Sequence, residues 1–313
     1  MSDQLKKFVF DAAPVRGEIV NLRTTWQTVL QNHDYPAPVR TLLGEMMAAA
    51  ALLSANLKFD GALIMQIHGD GPVQMLVVEC NSDLMMRATA KYSPDLPANP
   101  TLAQMVNANG NGRFAITLDP HDRRPGQQAY QGIVPLADEN GPLDDMAAVL
   151  RHYMLHSEQL DTHLWLAADE QQAVGVMLQR LPREGGGDAR AVAQEAEDTW
   201  ERACHLGATL KREEMLSVSA DDLLHRLFWQ EDVRVFEPQP THFRCTCSRR
   251  GVGNMLRMLG WEEVKSILDE REKIDIDCEF CRQHYTFDAV DATQLFAGDR
   301  LSADVTVASS QRH

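Results

Sequence analysis

The sequence has no apolar run approaching the roughly 20 residues of a membrane-crossing helix. Its first ten residues lack the apolar core and small-residue cleavage site of a secretory signal. Basic residues are scarce: 30 Lys and Arg stand against 45 Asp and Glu, a net charge of −15. That balance excludes the basic footprint of a general nucleic-acid binder and disfavours docking on anionic membranes. Three catalytic signatures are also missing. No H-E-x-x-H occurs, no H-x-E accompanies a P-C-x-x-C, and the Gly69–Pro72 stretch lacks the lysine and following helix of a phosphate-binding loop. With no signal sequence the chain is expected in the cytoplasm. Thiols stay reduced there, and cysteines serve as metal ligands or redox sensors more often than as bridges.

What is present is enough for a core. The 44% hydrophobic content is ordinary for a globular protein, and 313 residues suggest about two domains. Cysteine is rare, at six residues, but its placement is not random. Cys245-x-Cys247 and Cys278-x-x-Cys281 each present two sulfurs, and the segment between them is long enough for a helical hairpin. Together they make a closed Cys₄ set, which suits tetrahedral Zn²⁺ and leaves no open coordination position for substrate. Spacing alone reads first as structural zinc. The same residues are also two vicinal dithiols, each able to close on itself, so a redox switch stays open at this point. Cys80 follows the apolar run 75–78 and reads as a small buried residue. Cys204 stands alone.

Taken in order, residues 15–22 read as a strand and 21–30 as a short helix. From Val39, Leu42, Leu43, Met46, Met47, Ala50, Leu53 and Leu57 recur at helical spacing and predict a core helix. Strands are expected at 63–68 and 73–79, joined by a hairpin turn at 69–72, and then at 85–90, 114–118 and 130–135. An exposed loop is expected at 120–128. An amphipathic helix follows at 143–155, with Asp144 and Asp145 in its first turn, and closing strands at 164–168 and 173–181. Several strands are joined by hairpins, without regular βαβ alternation, so the class is α+β. The organisation read from this is an N-terminal domain of mixed sheet and helix (1–181), a helical linker (182–244), a small Cys₄ zinc domain (245–296) and a polar tail (297–313) expected to be disordered.

The three glycines at 185–187 mark a flexible joint. Beyond it, 189–210 reads as a helix with Val192, Ala196, Trp200, Ala203, Leu206 and Leu210 on one face and charge on the other. Ser219 is placed to cap a helix bearing Leu223, Leu224, Leu227 and Phe228, and Val233–Phe236 is a short strand. Such faces cannot stay exposed, so these helices must dock on a neighbouring domain, either permanently or conditionally. Ser248 can cap a helix carrying Met255, Leu256 and Leu259, which Gly251 and Gly253 should weaken and Gly260 should end. A second helix is expected at 261–268, and residues 285–287 should return as a strand.

These residues carry a family resemblance. Cys245-x-Cys247-Ser248-Arg249, Glu262-Glu263-Val264, Cys278-x-x-Cys281 and Tyr285-x-Phe287 resemble the zinc-binding end of the redox-regulated 33 kDa chaperonins, the heat shock protein 33 family. Val15-Arg16-Gly17-Glu18, Asn32-His33-Asp34-Tyr35-Pro36, Leu57-Lys58-Phe59-Asp60-Gly61 and Gly69-Asp70-Gly71-Pro72 extend the likeness over about residues 5–296, in the family's order. The resemblance turns the reading from static zinc to a switch. It implies a non-enzymatic, ATP-independent holdase, inactive while Cys245, Cys247, Cys278 and Cys281 hold one Zn²⁺ as thiolates. It implies Cys245–Cys247 and Cys278–Cys281 disulfides on oxidation, zinc release, unfolding of the linker, homodimer formation and binding of unfolding client proteins. Neither nucleic acid nor membrane is an expected partner. A C-x-C disulfide closes a tight ring, so Cys278–Cys281 is expected to form first. Arg244, Arg249, Arg250 and Arg282 flank the thiolates, either tuning them or standing as solvated charge. Cys204, inside the linker, could form off-pathway bonds once the linker opens.

Two rival readings weigh less. A zinc module binding nucleic acid would rest on Arg244, Arg249, Arg250, Arg257 and Lys265, against the net charge. A zinc hydrolase would need an open metal position. His33, His121, His152, His156 and His163 are scattered, and His152 and His156, one helical turn apart, read as surface histidines.

Overall fold

The computed structural model describes residues 3–122, 128–182 and 190–297, with side chains omitted for 190–193. The glycine joint at 185–187, the Val192 side chain, residues 123–127 of the expected exposed loop and the tail from 298 lie outside what is described. The chain divides into two compact units, Met1–Arg244 and Cys245–His313.

The first unit opens with β1 (Gln4–Phe10) and β2 (Val15–Leu22), followed by α1 (Thr24–Asn32) and α2 (Ala37–Ser54). Then come β3 (Gly61–His68), β4 (Val73–Asn81), β5 (Met85–Tyr92), α3 (Leu102–Val106), β6 (Arg113–Pro120), β7 (Tyr130–Val134), and the short β8 (Ala137–Asp138) and β9 (Gly141–Pro142). Next are α4 (Met146–His156), β10 (Thr162–Ala168), β11 (Ala173–Arg180), α5 (Arg190–Gly207), α6 (Arg212–Ser217), α7 (Ala220–Phe228), β12 (Val233–Val235), β13 (Gln239–Pro240) and β14 (His242–Phe243). One sheet has the order β10-β11-β2-β1-β12, with β13 also on β1; the other runs β14-β5-β4-β3-β6-β7. The fold is α+β, with antiparallel pairing throughout except for β14 on β5.

The helix α2 holds this unit together. The alanines at 48–51 keep it slim, and it packs on strands of both sheets. Its burial runs almost all the way round, as expected of a helix apolar on every side. Leu43, Met46 and Met47 are fully buried with Trp26, Leu63, Met65 and Phe114. Cys80 is buried in the same core.

Several boundaries differ from expectation. The strand β2 runs to Leu22, so α1 starts at Thr24 rather than Asn21. Leu57 lies beyond the end of α2, and Leu210 beyond the end of α5. Asp145 is not inside the first turn of α4. It is the cap, accepting from the Ala148 N–H at 2.7 Å. The strand β1, which lies between β2 and β12, has no counterpart in the sequence reading, because Lys6 and Lys7 interrupt its alternation. Both lysines are nonetheless engaged, Lys6 with Asp221 and Lys7 with the Ala55 carbonyl.

The second half of this unit folds back on the first sheet. The strand β12 pairs antiparallel with β1, Phe8 opposite Val235 and Phe10 opposite Val233. Trp200, Ala203, Met215, Leu223, Leu227 and Phe228, from α5–α7, are buried against Phe8, Phe10, Val15, Ile19, Val174, Val176 and Leu178. Strand residues alternate between this cluster and the α2 core: Val174, Val176 and Leu178 here, Ala173 and Met177 there. The two helical groups therefore cover opposite faces of one sheet. Polar ties add to the contact. Arg180 binds Glu197, Arg212 reaches Glu45 at 3.4 Å and donates to the Ala168 carbonyl, and Gln172 donates to the Leu216 carbonyl. Cys204 is half-buried at the edge of this cluster. Burial, reinforced by Asp161, pushes its thiol up to about 12, which makes it a poor nucleophile while the helices stay in place.

The second unit consists of α8 (Arg249–Leu259), α9 (Trp261–Arg271), β15 (Lys273–Asp277), β16 (His284–Asp288) and a further helical stretch at 289–297. Its core is small: Leu256, Val264, Leu268, Ile274, Phe287, Ala292 and Phe296. Of the three apolar residues read onto α8, only Leu256 is buried; Met255 and Leu259 are exposed. Gly253 does not simply loosen this helix. A methyl group there would meet Leu295 at 2.8 Å, so the glycine makes room for a core side chain. Among the described residues no helix is long and apolar enough to cross a membrane.

Candidate metal centre

Two short segments bring the four expected cysteines together. Cys245 and Cys247 directly precede α8. The Ser248 hydroxyl caps that helix, accepting from the Gly251 N–H at 3.1 Å, and so fixes the chain next to Cys247. Cys278 and Cys281 sit on the turn between β15 and β16, whose last ladder pair is Asp277 with His284. In that turn the Cys278 N–H donates to the Gln283 carbonyl and the Arg282 N–H to the Cys278 carbonyl, both at 2.9 Å. Arg282 adopts the left-handed conformation, φ 58°, which reverses the chain.

All four sulfurs lie within 4.8 Å of one another. The Cys245 and Cys278 Sγ atoms are 3.6 Å apart, and those of Cys247 and Cys281 3.4 Å. A tetrahedron of thiolates at a zinc–sulfur distance of about 2.3 Å has edges of about 3.8 Å, so the spacing and the donor set both fit Zn²⁺. No other group of three or more His, Cys, Asp or Glu among the described residues has such spacing.

The surroundings are tuned to sulfur. The Tyr285 hydroxyl donates to Cys247 Sγ at 3.1 Å, a contact the sequence reading did not anticipate although Tyr285 lies in the motif it quoted. Burial, with hydrogen bonding to the other three cysteines, pushes the Cys281 thiol up to about 12. Four clustered thiols do not all ionise unaided, whereas a coordinated thiol is deprotonated outright. The flanking arginines divide. Arg249 lies over the Phe287 ring at 4.3 Å and binds Asp291 at 2.7 Å and the Thr286 carbonyl at 2.6 Å. Arg257 donates to the Leu295 carbonyl, and Arg244 contacts Met85 Sδ. These three arginines are thus tied to neighbouring groups of the fold.

The chain as a whole is similar to known proteins. The family model described as Hsp33 protein matches residues 3–288. A protein of Methylobacillus flagellatus named 33 kDa chaperonin is 50% identical over 297 residues, 95% of each chain. One of the same name from Chromobacterium violaceum is 48% identical over 301 residues, 96% of each chain. The crystal structure of a 33 kDa chaperonin from Thermotoga maritima superposes with a TM-score of 0.76 over 95% of this chain and 99% of that one. At 19% identity, that likeness speaks for the fold.

Proposed function

The chain belongs to the Hsp33 family of chaperones, and from that premise we propose that it is an ATP-independent holdase switched by oxidation of its four clustered cysteines. In the reduced state Cys245, Cys247, Cys278 and Cys281 would hold one Zn²⁺ as thiolates. Bound there, the ion would supply folding free energy, about 10–16 kcal/mol in small zinc modules. The observation that carries the reading is the meeting of the four sulfurs beside so small an apolar core. Such a core gives little stability by itself.

Oxidation would proceed within each dithiol. Hypochlorous acid and two thiols give a disulfide, chloride, a proton and water; peroxide and two thiols give a disulfide and two waters. The sulfurs lose two electrons and the oxidant gains them. Cys278–Cys281, with two residues between its sulfurs, is the first pair, and the tighter Cys245–Cys247 ring the second. Each disulfide withdraws two thiolate donors, so the module loses its support.

The linker, residues 182–244, would then release the sheet face it covers. Phe8, Phe10, Val15, Ile19, Val176 and Leu178 form an apolar surface suited to unfolding proteins, and a homodimer would present two of them. The action is cytoplasmic binding rather than catalysis.

The test is one experiment on the reduced, zinc-loaded chain treated with hypochlorite, or with peroxide at mildly raised temperature. Zinc in solution, far-ultraviolet circular dichroism and aggregation of a denatured client are followed without ATP. The proposal expects zinc in solution, a fall in helicity and suppressed aggregation, with the thiols recovered by dithiothreitol. Zinc retained throughout, or released without any protection of the client, would make the centre structural only.

A further inference from the structure

We propose that His152 and His156, on α4, form a second metal site, which takes a divalent ion of the nickel(II) or copper(II) kind through two imidazole nitrogens. Residues four apart on a helix lie one above the other. Here the two ring centres are 4.3 Å apart with the planes inclined at 42°. That distance is informative. A ring nitrogen lies about 2.0–2.1 Å from a bound ion, and the ring centre about 1.1 Å further. Two imidazoles at right angles about one ion therefore have centres about 4.5 Å apart; at the tetrahedral angle the figure is about 5.2 Å. The observed spacing is close enough for the two rings to share one ion, and nickel(II) and copper(II) are the first-row ions that imidazole pairs bind most tightly.

Several other histidines spend their rings on partners. His121 holds Asp60, His205 the Glu201 carbonyl, and His284 Asp277. Neither His152 nor His156 makes a hydrogen bond or ion pair among the described residues. The backbone beneath them is fixed. Asp145 caps the helix, and Val149, Leu150 and Tyr153 bury its inner face. The two rings are thus carried on a rigid frame with their nitrogens unspent, which lowers the ordering cost of chelation. No thiol takes part, so the site is chemically separate from the cysteine centre. The remaining coordination positions are left to water.

The test uses the full chain without an affinity tag, loaded with zinc and kept reduced by a phosphine. Nickel(II) is titrated in by calorimetry, and gel-filtered protein is then analysed for both metals and scanned for thiolate-to-nickel absorption. The expected result is one nickel per chain, zinc content unchanged and no thiolate band. His152→Ala and His156→Ala should each weaken binding by at least about tenfold, since one imidazole loses the chelate. The pair of changes His156→Ala and Ser157→His keeps the histidine count but moves one ring off the face, and it should weaken binding equally. Circular dichroism of all three variants should match the parent. Binding unaltered by these substitutions, or nickel uptake that displaces zinc or carries a thiolate band, overturns the site.

Discussion

One sheet of this protein is covered on both faces by helices, and the two coverings are built differently. On one face lies α2, 18 residues whose only charged side chains are Arg40 and Glu45. On the other lie α5–α7. The helix α5 is also 18 residues long but carries Arg190, Glu195, Glu197, Asp198, Glu201 and Arg202. Both coverings bury aromatic and aliphatic side chains completely. They differ in what would happen on leaving. Detached from its sheets, α2 would expose apolar surface on every side, at about 25 cal/mol for each Å². Detached from theirs, α5–α7 would expose one stripe and keep a solvated charged face. Burial alone does not tell a permanent core from a removable cover; the chemistry of the outer face does. In the proposed function, the cover that would leave is the segment assigned to the linker.

The widest effect expected from testing this difference, spread over the whole first unit, is in the core around α2. Leu43→Ala should cost about 2–5 kcal/mol and lower the urea midpoint of the whole first unit, since the residue is fully buried in α2. Phe228→Ala should cost about 3–5 kcal/mol, but locally. Phe228 packs on Phe8 at 5.7 Å and on Phe10 at 5.2 Å. Native-state hydrogen exchange should show the amides of α5–α7 opening while those of α2 stay protected. Equal loosening of both would remove the distinction between core and cover.

A pH series sharpens the comparison further. Burial holds Glu45 up at about 7, with Asp145 adding to the rise and Arg212 of α6 pulling it back. Burial also raises Glu18 to about 7, against the Asn56 hydrogen bond, Lys7 and Arg16. Both carboxyls bind their proton more tightly in the folded state. The stabilisation they give is complete below about pH 4.5 and is lost as pH rises through about 7. The expected size is about 1–3 kcal/mol each. Glu45→Gln should flatten the pH dependence of α5–α7 exchange, whereas Glu18→Gln, next to the end of α2, should flatten that of the global midpoint.

Gly207→Ala should act on the cover alone. An added methyl would collide with the Trp165 ring, so the end of α5 or the indole must shift, at about 1–3 kcal/mol. A red shift in tryptophan emission would report it. Asp221→Asn removes the partner of Lys6 and should have the smallest effect, no more than about 1 kcal/mol and less in high salt, because Asp221 is 71% exposed. A larger change would mean that surface charge, and not the apolar stripe, holds α7 down.

Parts of this molecule were legible in the chain, for local reasons. The two cysteine pairs are each set by covalent spacing, and their zinc-like donor set needs no fold to be recognised. The core helix was legible because its apolar residues recur with the helical period. The Ser219 and Ser248 caps were legible because a hydroxyl placed just ahead of a helix has one obvious use, and both make that bond. Three features were not. The alternation of β1 is masked by two lysines. The partner of Glu45 stands 167 residues away, in α6. Tyr285 could be quoted as part of a motif, but its bond to Cys247 spans 38 residues and depends on the closure of the hairpin.

The sequence by itself thus determined the α+β class, the four sulfurs as a set and the amphipathic character of α5 and α7. These follow from residue type and short-range period. Only the tertiary structure decided which surface α5–α7 cover and which carboxyls are buried. Those depend on contacts between distant residues, and an apolar stripe states that it will be buried without stating against what.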